Sequence, residues 1–85
     1  MKFDAVEFGK RVRGLRTAEG MTQEKLAEKL GINKQHVCRM ETGARVCSLE
    51  LLVELSVVLH TTTDYLLMGK GVTLDMEDTA NTTKN

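Results

Sequence analysis

The sequence predicts an all-α fold of five short helices in one compact domain, and three features indicate it. Leu, Glu and Lys, which are among the commonest residues, favour helices, and the 85 residues include no proline to break one. No segment alternates apolar and polar residues as a half-buried strand does. Glycines and N-capping side chains divide the chain into short helical stretches. A chain of this length has room for one hydrophobic core.

The first helix is predicted over residues 4–19. Phe8, Val12 and Leu15 recur at the i, i+4, i+7 spacing of one helical face, so this side should pack on the core. Gly20 follows the last periodic residue, as a glycine commonly does where a helix ends.

The second helix should begin after Thr22, a good N-cap, with Glu24 in its first turn, where a carboxylate suits the helix dipole. It should end at Gly31, which permits a sharp turn with positive φ, and Ile32 should fill the corner. Its predicted buried residues are Leu26, Ala27 and Leu30.

The third helix is predicted over residues 33–42, with Asn33 as its cap and Gly43 at its end. At 100° per residue, Gln35 and Arg39 lie on one side, one turn apart. The opposite side consists of Val37, Met40 and Glu41. Because the apolar side must pack on the second helix, the other side presents long hydrogen-bonding side chains to solvent. Two helices joined by such a turn form a helix-turn-helix, whose second helix fits the DNA major groove.

The last two helices are delimited by the same kinds of capping residue. Ser48 is the expected cap of a fourth helix that runs to about Leu59. Thr62 or Thr63 opens a short fifth helix that ends before Gly69.

The predicted helices place residues 1–69 in one DNA-binding domain. Residues 70–85 are polar and without periodicity, so they are predicted to form a flexible tail.

The core-facing residues of the fourth helix are predicted to be Leu52, Leu55, Ser56 and Leu59. Further apolar residues on this helix and the next are Leu51, Val53, Val57, Val58, Leu66, Leu67 and Met68. One small core cannot cover them all, so a homodimer is expected.

The net charge of zero hides a separation of charge along the chain. Residues 10–45 carry nine basic and four acidic side chains, a net charge of +5, whereas residues 46–85 carry two basic and six acidic ones. A basic run is often only a solvated surface. Here it coincides with the helix-turn-helix, which favours double-stranded DNA as the partner.

Several other classes are disfavoured. The first residues mix charges into every turn, unlike a secretory signal, and the longest uncharged apolar run is too short to cross a bilayer. A cytoplasmic location without membrane contact is therefore expected. The sequence contains no catalytic constellation, phosphate-binding glycine loop or metal-ligand cluster, so we expect no enzyme activity, cofactor or metal. With no appended sensor domain, we expect no small-molecule effector.

The two cysteines, Cys38 and Cys47, lack the spacing of a CxxC motif. Reduced thiols in a cytosolic protein are the favoured interpretation. A disulfide or redox switch, and a metal site with His36 or His60, are the alternatives.

The segments GKRVRGLR, GMTQEKLAEKLGI, VCRMETG and SLELLVELSVVLHTTTDYLLMG span about residues 9–69. Together they resemble the phage-repressor and Cro-like regulators, often called XRE-type. The resemblance implies a lambda-repressor-like fold and a sequence-specific DNA-binding transcriptional regulator, a small repressor. The alternative is a protein-interaction module, such as an antitoxin or anti-repressor partner, but the polar outward side of the third helix favours DNA. Cys47 stands where the family often has proline, and His60 and Thr61 where it often has glycine and an apolar residue.

Position on the motif assigns a role to each candidate residue. Gln35 is predicted to read a base, because an amide can bond bidentately to adenine, and Arg39 to reach a guanine or a phosphate. The predicted contacts to the DNA backbone are Thr22, Gln23, Lys34 and Arg45, and the alternative for Arg45 is entry into the minor groove. The resemblance implies an internal ion pair between Arg16 and Glu41 that joins the first and third helices, so Arg16 is predicted to be structural.

Overall fold

A computed structural model describes residues 3–69, and within that span the chain forms five α-helices. They are α1 (Ala5–Ala18), α2 (Gln23–Leu30), α3 (Lys34–Thr42), α4 (Leu49–Val58) and α5 (Thr63–Met68). The described residues include no strand, so the predicted five-helix, all-α class is confirmed. The predicted tail, residues 70–85, lies outside the described residues. None of the described helices combines the length and the apolar character needed to cross a membrane.

Each helix begins at a side chain that accepts a hydrogen bond from the first turn. These N-caps are Asp4, Thr22, Asn33, Ser48 and Thr62. Asn33 Oδ1, for example, accepts from the backbone N–H of His36 at 2.8 Å. The caps satisfy donors that have no partner within the helix. The caps predicted for the second, third and fourth helices are confirmed, and Thr62 rather than Thr63 caps the fifth.

One hydrophobic core joins all five helices. Its buried residues are Phe8, Val12, Leu26, Ala27, Leu30, Val37, Met40, Leu51, Leu52, Leu55, Leu59 and Leu66. Both Phe8 and Val12 come from the predicted apolar face of α1, while Leu15 packs at the edge of the core. The three residues predicted to be buried in α2 are buried as well.

The crossing of α1 and α3 requires a residue without a side chain. Gly9 is buried there, and a Cβ at this position would collide with the backbone carbonyl groups of Met40 and Glu41. Backbone groups inside a helix cannot rotate away as a flexible side chain can. Gly9 therefore lets α1 approach the last turns of α3 and fixes how α3 sits on the domain.

The buried side of α4 is wider than the sequence predicts. Leu51 and, in α5, Leu66 belong to the core rather than to an excess apolar surface, and Ser56 is only half-buried. The cause is that α4 packs on both α2 and α5, so residues on two flanks become covered. The large apolar residues that α4 exposes are Leu49, Val53 and Val57.

Arg11 closes the end of α5 from a distant part of the chain. Its Nε donates to the carbonyl oxygen of Leu66 at 2.9 Å, and its Nη2 donates to that of Leu67 at 3.0 Å. These carbonyl groups lie in the last turn, where no helical N–H can reach them. A helix of six residues is unstable alone, so the guanidinium of α1 helps to hold α5 in place.

His60, just after α4, has a φ of 56° in the left-handed region. This conformation costs a residue with a Cβ about 1–2 kcal/mol, whereas glycine adopts it freely. It is also the position at which the family often carries glycine, so the departure from that pattern leaves a local strain in the backbone.

Candidate nucleic-acid interface

The turn between α2 and α3 is short and rigid. Gly31 has a φ of 70°, and the backbone N–H of Ile32 donates to the carbonyl oxygen of Ala27 at 3.0 Å. Ile32 packs against the core from the corner, as predicted. On α3, Val37 and Met40 are fully buried. The inner side of α3 is thus fixed on α2 and α1, and its outer side cannot rotate inward.

The outer side of α3 is polar and exposed. Its residues are Lys34, Gln35, Cys38, Arg39 and Thr42. Gln35 and Arg39 lie one helical turn apart on this side. Within residues 3–69 neither side chain has a hydrogen bond or an ion pair, so both are free to bind a ligand. Long side chains held free on a fixed helix are suited to read the edges of bases.

Arg16 and Glu41 meet beneath this helix. The Nε of Arg16 lies 2.6 Å from Glu41 Oε2, and its Nη2 donates to Oε1 at 3.1 Å. A third bond runs from its Nη1 to the carbonyl oxygen of Met21 at 2.7 Å. Both charged residues are buried, and the hydrogen bond to Glu41 raises the pKa of Arg16 above its usual value. The structure therefore ties the guanidinium of Arg16 inside the domain.

Gln23, the first residue of α2, also bonds to Glu41. Its Nε2 donates to Glu41 Oε1 at 2.9 Å, and the side chain is half-buried. An amide nitrogen carries two hydrogens, so the second remains available to an acceptor outside the protein. The residue predicted to touch the DNA backbone is consequently oriented by the buried ion pair.

The other predicted backbone contacts are all exposed. Thr22 Oγ1 accepts the N–H of Lys25 at 3.0 Å as the cap of α2, and the Thr22 side chain helps to lower the pKa of the Glu24 carboxyl. Lys34 Nζ lies 3.1 Å from Glu24 Oε2, an ion pair between α2 and α3 that the sequence analysis did not predict. Arg45 lies in the loop after α3.

Comparison with known proteins places this geometry in a family. The model of a helix-turn-helix domain matches residues 7–66. The chain belongs to this helix-turn-helix family. One relative is the SPbeta prophage-derived uncharacterized HTH-type transcriptional regulator YonR of Bacillus subtilis (strain 168), which is 35% identical over 74 residues. The match covers 87% of this chain and 68% of YonR.

Two solved structures are similar to about three quarters of this chain. The restriction-modification controller protein C.AhdI from Aeromonas hydrophila is 39% identical, with a TM-score of 0.70, over 75% of this chain and 93% of that one. The P22 c2 repressor, solved in complex with a synthetic operator, is 28% identical, with a TM-score of 0.72, over 74% of this chain and 96% of that one. The expected likeness to phage-repressor and Cro-like regulators is confirmed.

The basic block of this helix-turn-helix protein divides into two groups. Arg11 and Arg16 are bonded inside the domain, Arg11 to α5 and Arg16 to Glu41. The remaining seven basic side chains of residues 10–45 are exposed. Arg11 was missed as a structural residue because its partners follow it by 55 and 56 positions, and no local pattern reveals such a contact.

The two thiols of the helix-turn-helix domain are free and differ in exposure. Cys38 is exposed on the outer side of α3, whereas burial raises the pKa of the Cys47 thiol in the loop before α4. Among residues 3–69 no group of three or more His, Cys, Asp or Glu side chains could hold a metal ion.

Proposed function

We propose that this protein is a transcriptional repressor that binds double-stranded DNA with α3 in the major groove. The observation that carries the proposal is the exposed polar side of α3, on which Gln35 and Arg39 have no partner within the described residues. Family membership supports DNA as the ligand. A protein-binding helix would be expected to expose apolar residues on the same side, and α3 exposes none of the large ones.

Base reading is assigned to Gln35, in the first turn of α3, and to Arg39, near its middle. The amide of Gln35 can donate to N7 and accept from N6 of adenine only if its backbone is held at a fixed distance from the groove. The buried inner side of α3 provides that support. Arg39, one turn further on, is long enough to reach a guanine edge or a phosphate on the groove wall.

Backbone contacts are assigned to the ends of the motif. Thr22 and Gln23 lie at the N-terminus of α2, where the helix dipole favours a phosphate. Lys34 begins α3, and Arg45 follows it in the loop. Such contacts place the protein on the duplex and carry no sequence information themselves.

The test compares Gln35→Ala with Arg45→Ala on a duplex selected from a random pool and on its scrambled form. Gln35→Ala should cost about 1–3 kcal/mol on the selected duplex and relax the preference at one base position. Arg45→Ala should weaken both duplexes alike and flatten the slope of log K against log salt by about one unit. Binding is measured by fluorescence anisotropy at several salt concentrations.

The contrast between the two variants is the control. Both remove an exposed side chain, so neither should unfold the domain, and circular dichroism would show a loss of folding in either variant. If Gln35→Ala weakened the selected and the scrambled duplex equally, α3 would not be the reading helix.

We further infer that the protein acts as a homodimer through the exposed stripe of α4, defined by Leu49, Val53 and Val57. These residues recur at i, i+4 and i+8, so they share one face, and their exposed fractions are 82%, 55% and 68%. A stripe of this kind on a soluble domain is typical of an interface. Two copies related by a twofold axis would present two reading helices to two half-sites.

Sedimentation tests the dimer with Val53→Glu, which puts a charge in the middle of the stripe. The wild type should sediment as a dimer at micromolar concentration and the variant as a monomer with unchanged helicity, because a buried unpaired carboxylate is strongly unfavourable. Val46→Glu is the control, since Val46 is exposed outside α4. A wild type that sediments as a monomer would contradict the homodimer.

A further inference from the structure

Glu24 is an acidic residue among the proposed contacts to the DNA backbone. It lies in the first turn of α2, beside Thr22 and Gln23, where a phosphate is proposed to bind. Its carboxylate lies 3.1 Å from Nζ of Lys34, which is itself a proposed phosphate contact. A DNA phosphate that approaches this corner therefore meets the Glu24 carboxylate, which is already paired with the lysine proposed to bind the phosphate.

Folding stability does not explain the pair. The side chains of Lys34 and Glu24 are 56% and 65% exposed, and exposed ion pairs contribute little to stability. The backbone N–H of Glu24, together with Lys34, holds the pKa of the Glu24 carboxyl below its usual value, so this carboxylate is ionised at neutral pH. An arrangement that is charged, exposed and adjacent to the proposed backbone contacts can act on DNA affinity.

We propose that Glu24 is an internal competitor of the DNA phosphate: it binds Lys34 in the free protein and must release it when the duplex binds. The inference rests on the proposed function, in which Lys34 contacts the DNA backbone. Since the exchange concerns a phosphate and not a base, it weakens binding to DNA of every sequence. The protein thereby binds random DNA less tightly, while Gln35 and Arg39 retain their contribution to discrimination.

The exchange also sets the salt dependence. A lysine that neutralises a phosphate displaces a counterion, but the carboxylate that Lys34 releases stays beside the same phosphate, so the exchange adds almost no net charge to the site. Lys34 should therefore contribute little to the salt slope as long as Glu24 is ionised. Removing only the charge of Glu24 should restore the full contribution.

The experiment measures binding of Glu24→Gln to the selected and scrambled duplexes as a function of salt. For each phosphate neutralised, log K changes by about 0.9 per log unit of salt. One log unit below about 1 M salt, at about 0.1 M, the variant should therefore bind both duplexes about 8-fold more tightly than the wild type does. The slope should steepen by about 0.9, and the ratio of the two affinities should stay within about 2-fold.

Glu28→Gln is the matched control. Glu28 lies on the same helix, is exposed, and pairs with Lys25 within α2 rather than with α3. It removes the same charge and should change the affinity less than about 2-fold, since it faces no proposed phosphate contact. An equal gain from both variants would overturn the proposal in favour of a general effect of net charge.

A double variant distinguishes competition for Lys34 from direct repulsion of the phosphate. In a Lys34→Gln background, Glu24→Gln should gain less than half of its effect in the wild type, because the pair no longer exists. A gain that is unchanged in this background overturns the proposal. A wild type that binds both duplexes equally would contradict the proposed function, and yet the effect of Glu24→Gln on the absolute affinities would still decide this inference.

Discussion

The polar side chains on the two sides of α3 have opposite environments. On the inner side, Glu41 is buried, and its carboxylate receives bonds from both Arg16 and Gln23. On the outer side, Gln35 and Arg39 are exposed and lack partners within the described residues. The difference shows that one short helix separates stability from recognition: its inner groups satisfy each other, and its outer groups remain available.

This separation has a physical reason. A buried carboxylate without partners is strongly unfavourable, so the inner side admits Glu41 only with a complete set of donors. An exposed amide or guanidinium is satisfied by water and can exchange that water for a base or phosphate at little cost. Substitutions on the inner side should therefore affect folding, and those on the outer side should affect binding.

The largest expected effect is that of Glu41→Ala. It leaves the buried guanidinium of Arg16 without its carboxylate, and removing one partner of a buried pair destabilises by about 3–5 kcal/mol. Denaturant unfolding followed by circular dichroism measures the change. Arg16→Ala should have an effect of the same order, because it leaves the buried carboxylate of Glu41 without its positively charged partner.

Lys10→Ala is the control for that measurement. Lys10 also pairs with a carboxylate, Glu7 at 3.4 Å, but both side chains are largely exposed. Its loss should change stability by less than about 1 kcal/mol. An equally small change for Glu41→Ala would mean that the two sides of α3 do not differ in the way described.

The sequence predicted the helices and the outer side of α3 well, because both follow from local patterns. Capping residues set the helix starts, and 100° per residue places Gln35 opposite Met40. The partner of Glu41 came only from the resemblance to a family, since periodicity within one helix says nothing about a contact between two. The pairing of Lys34 with Glu24 was missed for the same reason.

The buried side of α4 was predicted less well. The helical wheel gave one core-facing arc, but the packing of α2 and α5 on two flanks of α4 buries Leu51 as well. Which flank is covered depends on how the chain returns after the fourth helix, and a wheel contains no such information. The exposed stripe of α4 also includes Leu49, which the helical wheel did not single out.

A smaller effect is expected where α1 packs against the inner side of α3. In Gly9→Ala the new methyl group meets the backbone carbonyl groups of Met40 and Glu41, so α1 must move away from α3. Overpacking of this kind destabilises by about 1–3 kcal/mol, even though alanine is the better helix former. Because the movement also shifts α3, affinity for the selected duplex should fall as well, as measured on folded protein.

The smallest effect is expected for the matched substitution at Gly14, and it has the opposite sign. Gly14 lies in the same helix and is exposed, and among residues 3–69 no atom beyond its own stretch of helix lies within 4 Å of the position a Cβ would take. Gly14→Ala should therefore stabilise the domain by up to about 1 kcal/mol, because alanine loses less backbone freedom in a helix. Unfolding curves of the two variants, measured side by side, give the difference. If Gly9→Ala and Gly14→Ala changed the free energy of unfolding in the same direction, α1 and α3 would not meet closely at Gly9. The inner side of α3 would then be held less tightly than a fixed reading helix needs.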